Sequence, residues 1–141
     1  MLVREAMTRN VPTIRVDKKL AAARSIMEWA HLAQLPVVDH QGELVGVITP
    51  DSLRSALPRE AGVPRVELDR RLAVTPVANA VIADTPTVAP GARAWVAADL
   101  MARHQVTTLP VVENRRVTGM ITASDLAAIL SHYGEPDRAA L

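Results

Sequence analysis

The stretch Gly119-Met120-Ile121-Thr122-Ala123-Ser124-Asp125 carries the residue types best suited to bind a ligand. An apolar, β-branched run ends at Thr122 and a helical pattern follows. A helix opening there is capped by the Thr122 hydroxyl, and its first backbone N–H groups point outward with the positive end of the helix dipole. Such an end suits a phosphate. Asp125, one turn in, can accept two hydrogen bonds from vicinal hydroxyls such as those of a ribose. An anion site beside a diol site describes a nucleotide. The same residues also form a Thr-x-x-Asp capping box, in which the acid reaches back to the N–H of the cap. The sequence leaves both readings open. Gly119 says only that something comes close or that a strand bends.

The surrounding residues occur twice. Sliding the chain by 74 positions lays Val3 on Val77, Ala6 on Ala80, Pro12-Thr13 on Pro86-Thr87, Met27 on Met101, and Leu35-Pro36-Val37-Val38 on Leu109-Pro110-Val111-Val112. With one gap in the following turn, Gly46, Ile48-Thr49 and Leu53 fall on Gly119, Ile121-Thr122 and Leu126. So close a match along a whole half is a duplication. In the first copy the segment reads Thr49-Pro50-Asp51-Ser52. Pro50 fits the first helical position. Asp51 comes one residue early, a rotation of about 100° on a helix, and Ser52 stands where the second copy has its acid.

The elements that must position these residues follow from periodicity. Each copy opens with a short amphipathic piece, "VREAM" or "VANAV", then an extended piece, "TIRV" or "TVA". Leu20, Ala23, Ile26-Met27 and Ala30 recur at helical spacing, with Asp17 as the expected N-cap. Ala94, Ala97 and Leu100-Met101 make the same stripe. "LPVVD" and "LPVVE" predict short buried strands. Polar turns lead to "LVGVIT" and "VTGMIT", and closing helices follow. The order is β-α-β-β-α, twice, an α/β (α+β) fold. Repeat one spans 1–57, a Pro- and charge-rich linker 58–75, repeat two 76–133 and a C-terminal tail 134–141. The linker predicts a solvated connector in which "VELDRRLA" can hold a helical turn, and Arg59, Arg65, Arg70 and Arg71 can meet an anion.

Composition narrows the function. The chain has 141 residues, long enough to bury about two-thirds of its unfolded surface. Apolar residues make up 49% but aromatics only 2%, so Val, Ile, Leu, Met and Ala must pack the core. Stacking platforms for nucleic-acid bases are scarce. A net charge of +1, with both signs interspersed, gives no footprint for DNA or an anionic membrane. There is no Cys, which removes disulfides, thiolate nucleophiles and Cys-ligated zinc. No apolar run reaches membrane-span length and the N-terminus does not read as a signal peptide, so the expectation is a soluble cytoplasmic protein. His31, His40, His104 and His132 do not repeat between copies and make no metal-like spacing. No Ser-His-acid set or glycine-rich phosphate loop is present. Trp29 and Trp95 sit at non-equivalent helical positions and predict core or interface packing.

The doubled unit resembles a tandem pair of cystathionine β-synthase (CBS) domains, the Bateman module. The resemblance covers about residues 3–132. It is carried by "MTRNVPTI" with "ADTPTV", both "LPVV" strands, and both Gly-x-Ile-Thr ends running into "DSL" and "SDL". It implies two repeats packed about a pseudo-twofold axis with two clefts. Such clefts hold adenosine nucleotides (AMP, ADP or ATP), or other ligands such as S-adenosylmethionine or NAD. The implied function is a regulatory module that does no chemistry, requires no cofactor or metal, signals to an unidentified partner protein and forms a homodimer. Ala21, Trp29, Trp95 and Ala98 are its expected contacts. The alternative is a ligand-free interaction scaffold. By resemblance, Asp125 holds ribose and Thr122 phosphate in the stronger cleft, with adenine against Val11, Thr13, Val16, Leu32, Ala33 and Gln34. The weaker cleft uses Thr49, Asp51, Ser52, Thr85, Thr87, Val106, Thr107 and Thr108. Ser52 departs from the family's acid, which predicts unequal clefts.

Overall fold

The computed structural model describes residues 1–57 and 62–139, with side chains for 1–57 and 62–131. The elements are α1 (Val3–Ala6), β1 (Thr8–Arg9), β2 (Ile14–Arg15), α2 (Leu20–Ala30), β3 (Leu35–Val38), β4 (Leu44–Ile48), α3 (Pro50–Ser55), α4 (Arg65–Val74), a 3-10 turn (Val77–Ala80), α5 (Ala94–His104), β5 (Thr108–Glu113), β6 (Arg116–Thr122) and α6 (Ala123–Ala139). The mixed α/β class expected from the periodicity is the class found.

The chain makes two compact units, and their limits are not those of the sequence repeats. One is Pro12–Thr85; the other joins Met1–Val11 to Pro86–Leu141. In the 12–85 unit the sheet runs β2-β3-β4, with β2 parallel and β4 antiparallel to β3. Ile82 then bridges Val47 on the free edge of β4. The discontinuous unit repeats this plan: Val88 bridges Val111 in parallel, β5 pairs with β6, and β1 pairs with β6 through Thr8–Met120 and Arg9–Gly119. The opening segment of each sequence repeat thus completes the sheet of the other.

Two glycines permit this. A Cβ on Gly46 would lie 2.3 Å from the Ile82 carbonyl oxygen, and one on Gly119 would lie 2.5 Å from that of Thr8. Glycine in a strand marks a close backbone approach, and here the approaching backbone is the equivalent segment in both units. The strands also bend: the β3–β4 and β5–β6 registers shift beside Val37–Val38 and Val111–Val112.

The two cores use equivalent positions. Leu20, Ala23, Met27, Leu35, Val37, Ile48 and Val77 cluster in one unit; Val3, Ala97, Met101, Leu109, Val111 and Ile121 cluster in the other. A fully buried Leu such as Leu35 or Leu109 contributes about 1.5–3 kcal/mol. Helices α2 and α5 end alike, in a left-handed residue: His31 at φ 53° and Gln105 at φ 54°. The next N–H, of Leu32 or Val106, donates back to the Met27 or Met101 carbonyl at 3.0 Å, a common C-terminal cap.

Several expectations need correction. Asp17 does not cap α2; the cap is Lys19, without a side-chain bond, and the Asp17 carboxylate pairs with Arg15 Nη2 at 3.0 Å. The extended piece "TVA" contributes only the Val88 bridge. Within 58–75, α4 packs on α2 and buries Leu72, so this part of the connector belongs to the 12–85 core. Residues 58–61, including Arg59, lie outside the described residues. The backbone of the expected tail is helical through Ala139, because α6 continues that far. Neither Trp is in a core: Trp29 is 85% exposed and Trp95 70%.

Candidate functional site

At the end of β6 the two readings of Thr122 and Asp125 meet in one geometry. The Thr122 N–H donates to Asp125 Oδ2 at 2.9 Å, and the Asp125 N–H donates to Thr122 Oγ1 at 3.0 Å. This is a reciprocal capping box opening α6. It occupies one carboxylate oxygen of a half-buried Asp125. Among the described residues Oδ1 takes no bond, so the carboxylate keeps accepting capacity.

The start of β5 lies beside this end. Thr108 pairs with Thr122, and the Thr107 carbonyl accepts the Ala123 N–H at 2.8 Å. Thr107, Thr108, Thr122 and Asp125 therefore converge at one edge of the discontinuous unit. Val11, Thr87 and Val106 belong to the same unit.

The 12–85 unit builds the same corner differently. Thr49 Oγ1 accepts the Ser52 N–H at 3.0 Å, and Ser52 Oγ accepts the Thr49 N–H at 2.9 Å. The Ser52 hydroxyl also donates to the Thr49 carbonyl at 3.1 Å. Ser52 is thus spent on its own helix end. Asp51, one residue early, turns outward and pairs with Arg54; its side chain is 88% exposed. The register Leu35–Ile48 sets Gln34 next to Thr49. Gln34 is 6% exposed, and its Oε1 has no hydrogen-bond partner among the described residues. Thr13, Val16, Leu32, Ala33 and Thr85 lie in this unit as well.

A groove of about 520 Å³ opens at this second corner, lined by Thr49, Asp51, Ser52, Ser55, Ala56, Asn79, Ala80, Val81 and Ile82. The sequence reading had missed residues 79–82. Their signal was indirect: Gly46 requires a close neighbour, but its identity is not local information. Thr85 does not line the groove.

Gln34 and Thr108 are the buried polar residues of the described chain, and they occupy equivalent positions before the two "LPVV" strands. Both strand ends thus combine a Thr cap with a buried polar neighbour. Arg70 and Arg71, which a solvated connector would leave able to meet an anion, both bond Glu67 on their own helix. Their hydrogen bonds, that of Arg70 first, hold the Glu67 carboxyl at about 2, against an ordinary 4.5.

Comparison with known proteins places this architecture. A CBS domain-containing protein of Dictyostelium discoideum is 32% identical over 139 residues, covering 96% of this chain and 95% of its own. The CBS domain of a CBS domain-containing membrane protein from Sphaerobacter thermophilus has a TM-score of 0.78 and 29% identity, over 92% of this chain and 88% of that one. The CBS domain pair of protein MJ0100, in complex with 5-methylthioadenosine and S-adenosyl-L-methionine, has the same fold, with a TM-score of 0.76 at 22% identity over 94% and 97% of the two chains. Homoserine O-acetyltransferases and inosine-5'-monophosphate dehydrogenases also match, but this chain spans only 24% and 22% of the length of two such enzymes. No described helix is long and apolar enough to cross a membrane. The sequence profile of the CBS domain matches residues 3–59 and again 77–132, so the chain belongs to the CBS domain family.

Proposed function

We propose that this protein is a regulatory module that binds an adenosine nucleotide of the AMP, ADP or ATP class and signals to a partner protein, without catalysing a reaction. The observation that carries the reading is the Thr122–Asp125 corner: a helix N-terminus for phosphate beside a carboxylate with an unused oxygen. In this reading Asp125 holds the ribose and Thr122 the phosphate. The family resemblance assigns the base to Val11, Thr13, Val16, Leu32, Ala33 and Gln34. Thr49, Asp51, Ser52, Thr85, Thr87, Val106, Thr107 and Thr108 make a second, weaker site. Ser52 lacks a second acceptor oxygen, and its hydroxyl already serves Thr49. The module works as a cytoplasmic homodimer, with Ala21 and the exposed Trp29 on α2 and Trp95 and Ala98 on α5 as its contacts.

Titration calorimetry with AMP, ADP, ATP, NAD, S-adenosylmethionine and methylthioadenosine tests the proposal, paired with melting curves without ligand. Hydrogen bonds to a charged group are worth about 1.5–3 kcal/mol, so Asp125→Ala should weaken nucleotide binding at least about tenfold. Ser52→Ala should leave affinity at the stronger site unchanged. A ligand at 100 times its Kd should stabilise the fold by about 2.7 kcal/mol. If Asp125→Ala only lowers the melting temperature and binds like the parent, the carboxylate is a cap and nothing more. If none of the six ligands shifts the melt, the scaffold reading replaces this one.

A further inference from the structure

Among the described residues, three buried side-chain atoms lack a hydrogen-bond partner: Gln34 Oε1, Arg24 Nε and Arg71 Nη1. The two nitrogens belong to half-buried guanidinium groups that hold an acid through another atom, Arg24 to Asp69 and Arg71 to Glu67. Gln34 has no such outlet. Its side chain is taken out of water just before β3, and its carbonyl oxygen gives up the hydrogen bonds that water made in the unfolded chain. The next four residues, Leu35, Pro36, Val37 and Val38, are all buried and bring no polar side chain to replace them.

The place of this oxygen ties it to the ligand corner. The register Leu35–Ile48 sets Gln34 opposite Thr49, the cap that lines the groove of about 520 Å³. Leu35 and Ile48 enter the core under the helices. Successive residues of a strand face opposite ways, so Gln34 and Thr49 turn to the other face of the sheet. An unpaired carbonyl oxygen calls for a donor. Adenine has one in its 6-amino group, with the acceptor N7 beside it, and a glutamine carboxamide matches that edge with an acceptor and a donor side by side. Guanine presents two acceptors there, O6 and N7. The equivalent Thr108 carries a hydroxyl, which can donate or accept and so makes no such choice.

Given the nucleotide reading, on which this step rests, we propose that the Gln34 carboxamide selects the base: Oε1 accepts from the 6-amino group of adenine and Nε2 donates to N7. Calorimetry on the parent compares AMP and ATP with the same nucleotides carrying hydrogen in place of the 6-amino group. Leaving the buried oxygen unpaired should make the analogues bind about tenfold more weakly. Gln34→Met keeps the length of the side chain without its carboxamide. It should weaken AMP and ATP about tenfold, leave the analogues at parent affinity and so bind the two kinds equally. The free variant should melt at or above the parent Tm. A parent that binds adenosine nucleotides and their analogues equally overturns the role of Gln34 while the nucleotide reading stands, and that measurement needs no variant to fold. A preference that survives in Gln34→Met overturns it as well, because another group then reads the amino group. So does a lower Tm of the free variant, which puts the partner of the carboxamide inside the fold. A parent that binds none of these nucleotides overturns both readings.

Discussion

Gly46→Ala tests how each unit takes up a strand from the opposite sequence repeat. The new Cβ would stand 2.3 Å from the Ile82 carbonyl oxygen, 2.9 Å from its carbon and 2.7 Å from Val81 Cγ1. Two of those atoms are backbone, so no rotamer change relieves the contact. The Ile82 segment is held to Val47 by two hydrogen bonds, of 2.8 and 3.1 Å. Either the segment moves off and forfeits both, worth about 0.5–1.5 kcal/mol each, or it stays under overpacking strain of about 1–3 kcal/mol. Both routes cost about 2 kcal/mol. At about 4 °C per kcal/mol for a chain of this size, Tm falls by about 8 °C. Gly91→Ala is the control, since no atom of the described residues lies within 4 Å of its added Cβ; it should change stability by less than about 0.5 kcal/mol. Calorimetry reads the melt, and hydrogen exchange should show the Val47 and Ile82 amides losing protection. If Gly46→Ala melts with Gly91→Ala and both amides stay protected, the close approach does not hold the segment in place.

Other expected outcomes follow from single contacts. Leu72→Ala should cost about 2–5 kcal/mol by opening a cavity under α4, and limited proteolysis should then cut within 62–75 faster than in the parent. His31→Gly and Gln105→Gly should each raise Tm, since glycine relieves a left-handed conformation that costs other residues about 1–2 kcal/mol; an unchanged or lower Tm counts against a strained cap. The Glu67 carboxyl is depressed in the folded chain, so its contribution is present above an ordinary carboxyl value of 4.5 and is lost as pH falls toward about 2. A carboxyl-carbon NMR titration should put its midpoint near 2 at low salt and higher in 1 M salt; a midpoint near 4.5 at low salt would show that the Arg70 and Arg71 bonds do not form. Light scattering of the parent should give a dimer, and Trp29→Glu a monomer; a dimer from both would exclude Trp29 as the contact.

The sequence by itself determined the duplication, the class of fold and the core. Apolar periodicity is local, and an offset of 74 residues carries Val3, Ala23, Met27, Leu35 and Val37 onto buried partners. It also placed the Thr122 cap, because Thr-x-x-Asp closes its hydrogen bonds within four residues; the matching Thr49–Ser52 box was seen only in the structure. It misplaced the cap of α2, where Asp17 had a closer partner in Arg15 and the backbone of Lys19 was already held by the chain at Pro76. Only the tertiary structure decided that Met1–Val11 and the segment before Thr85 join sheets of opposite repeats. Pairing of a two-residue strand uses backbone groups that every residue shares, so no side chain announces it; Gly46 and Gly119 mark that a neighbour comes close but not which one. The sequence was equally silent on Leu72, whose burial depends on α2 lying beside it, and on Trp95, whose exposure depends on nothing in the described chain doing the same for α5.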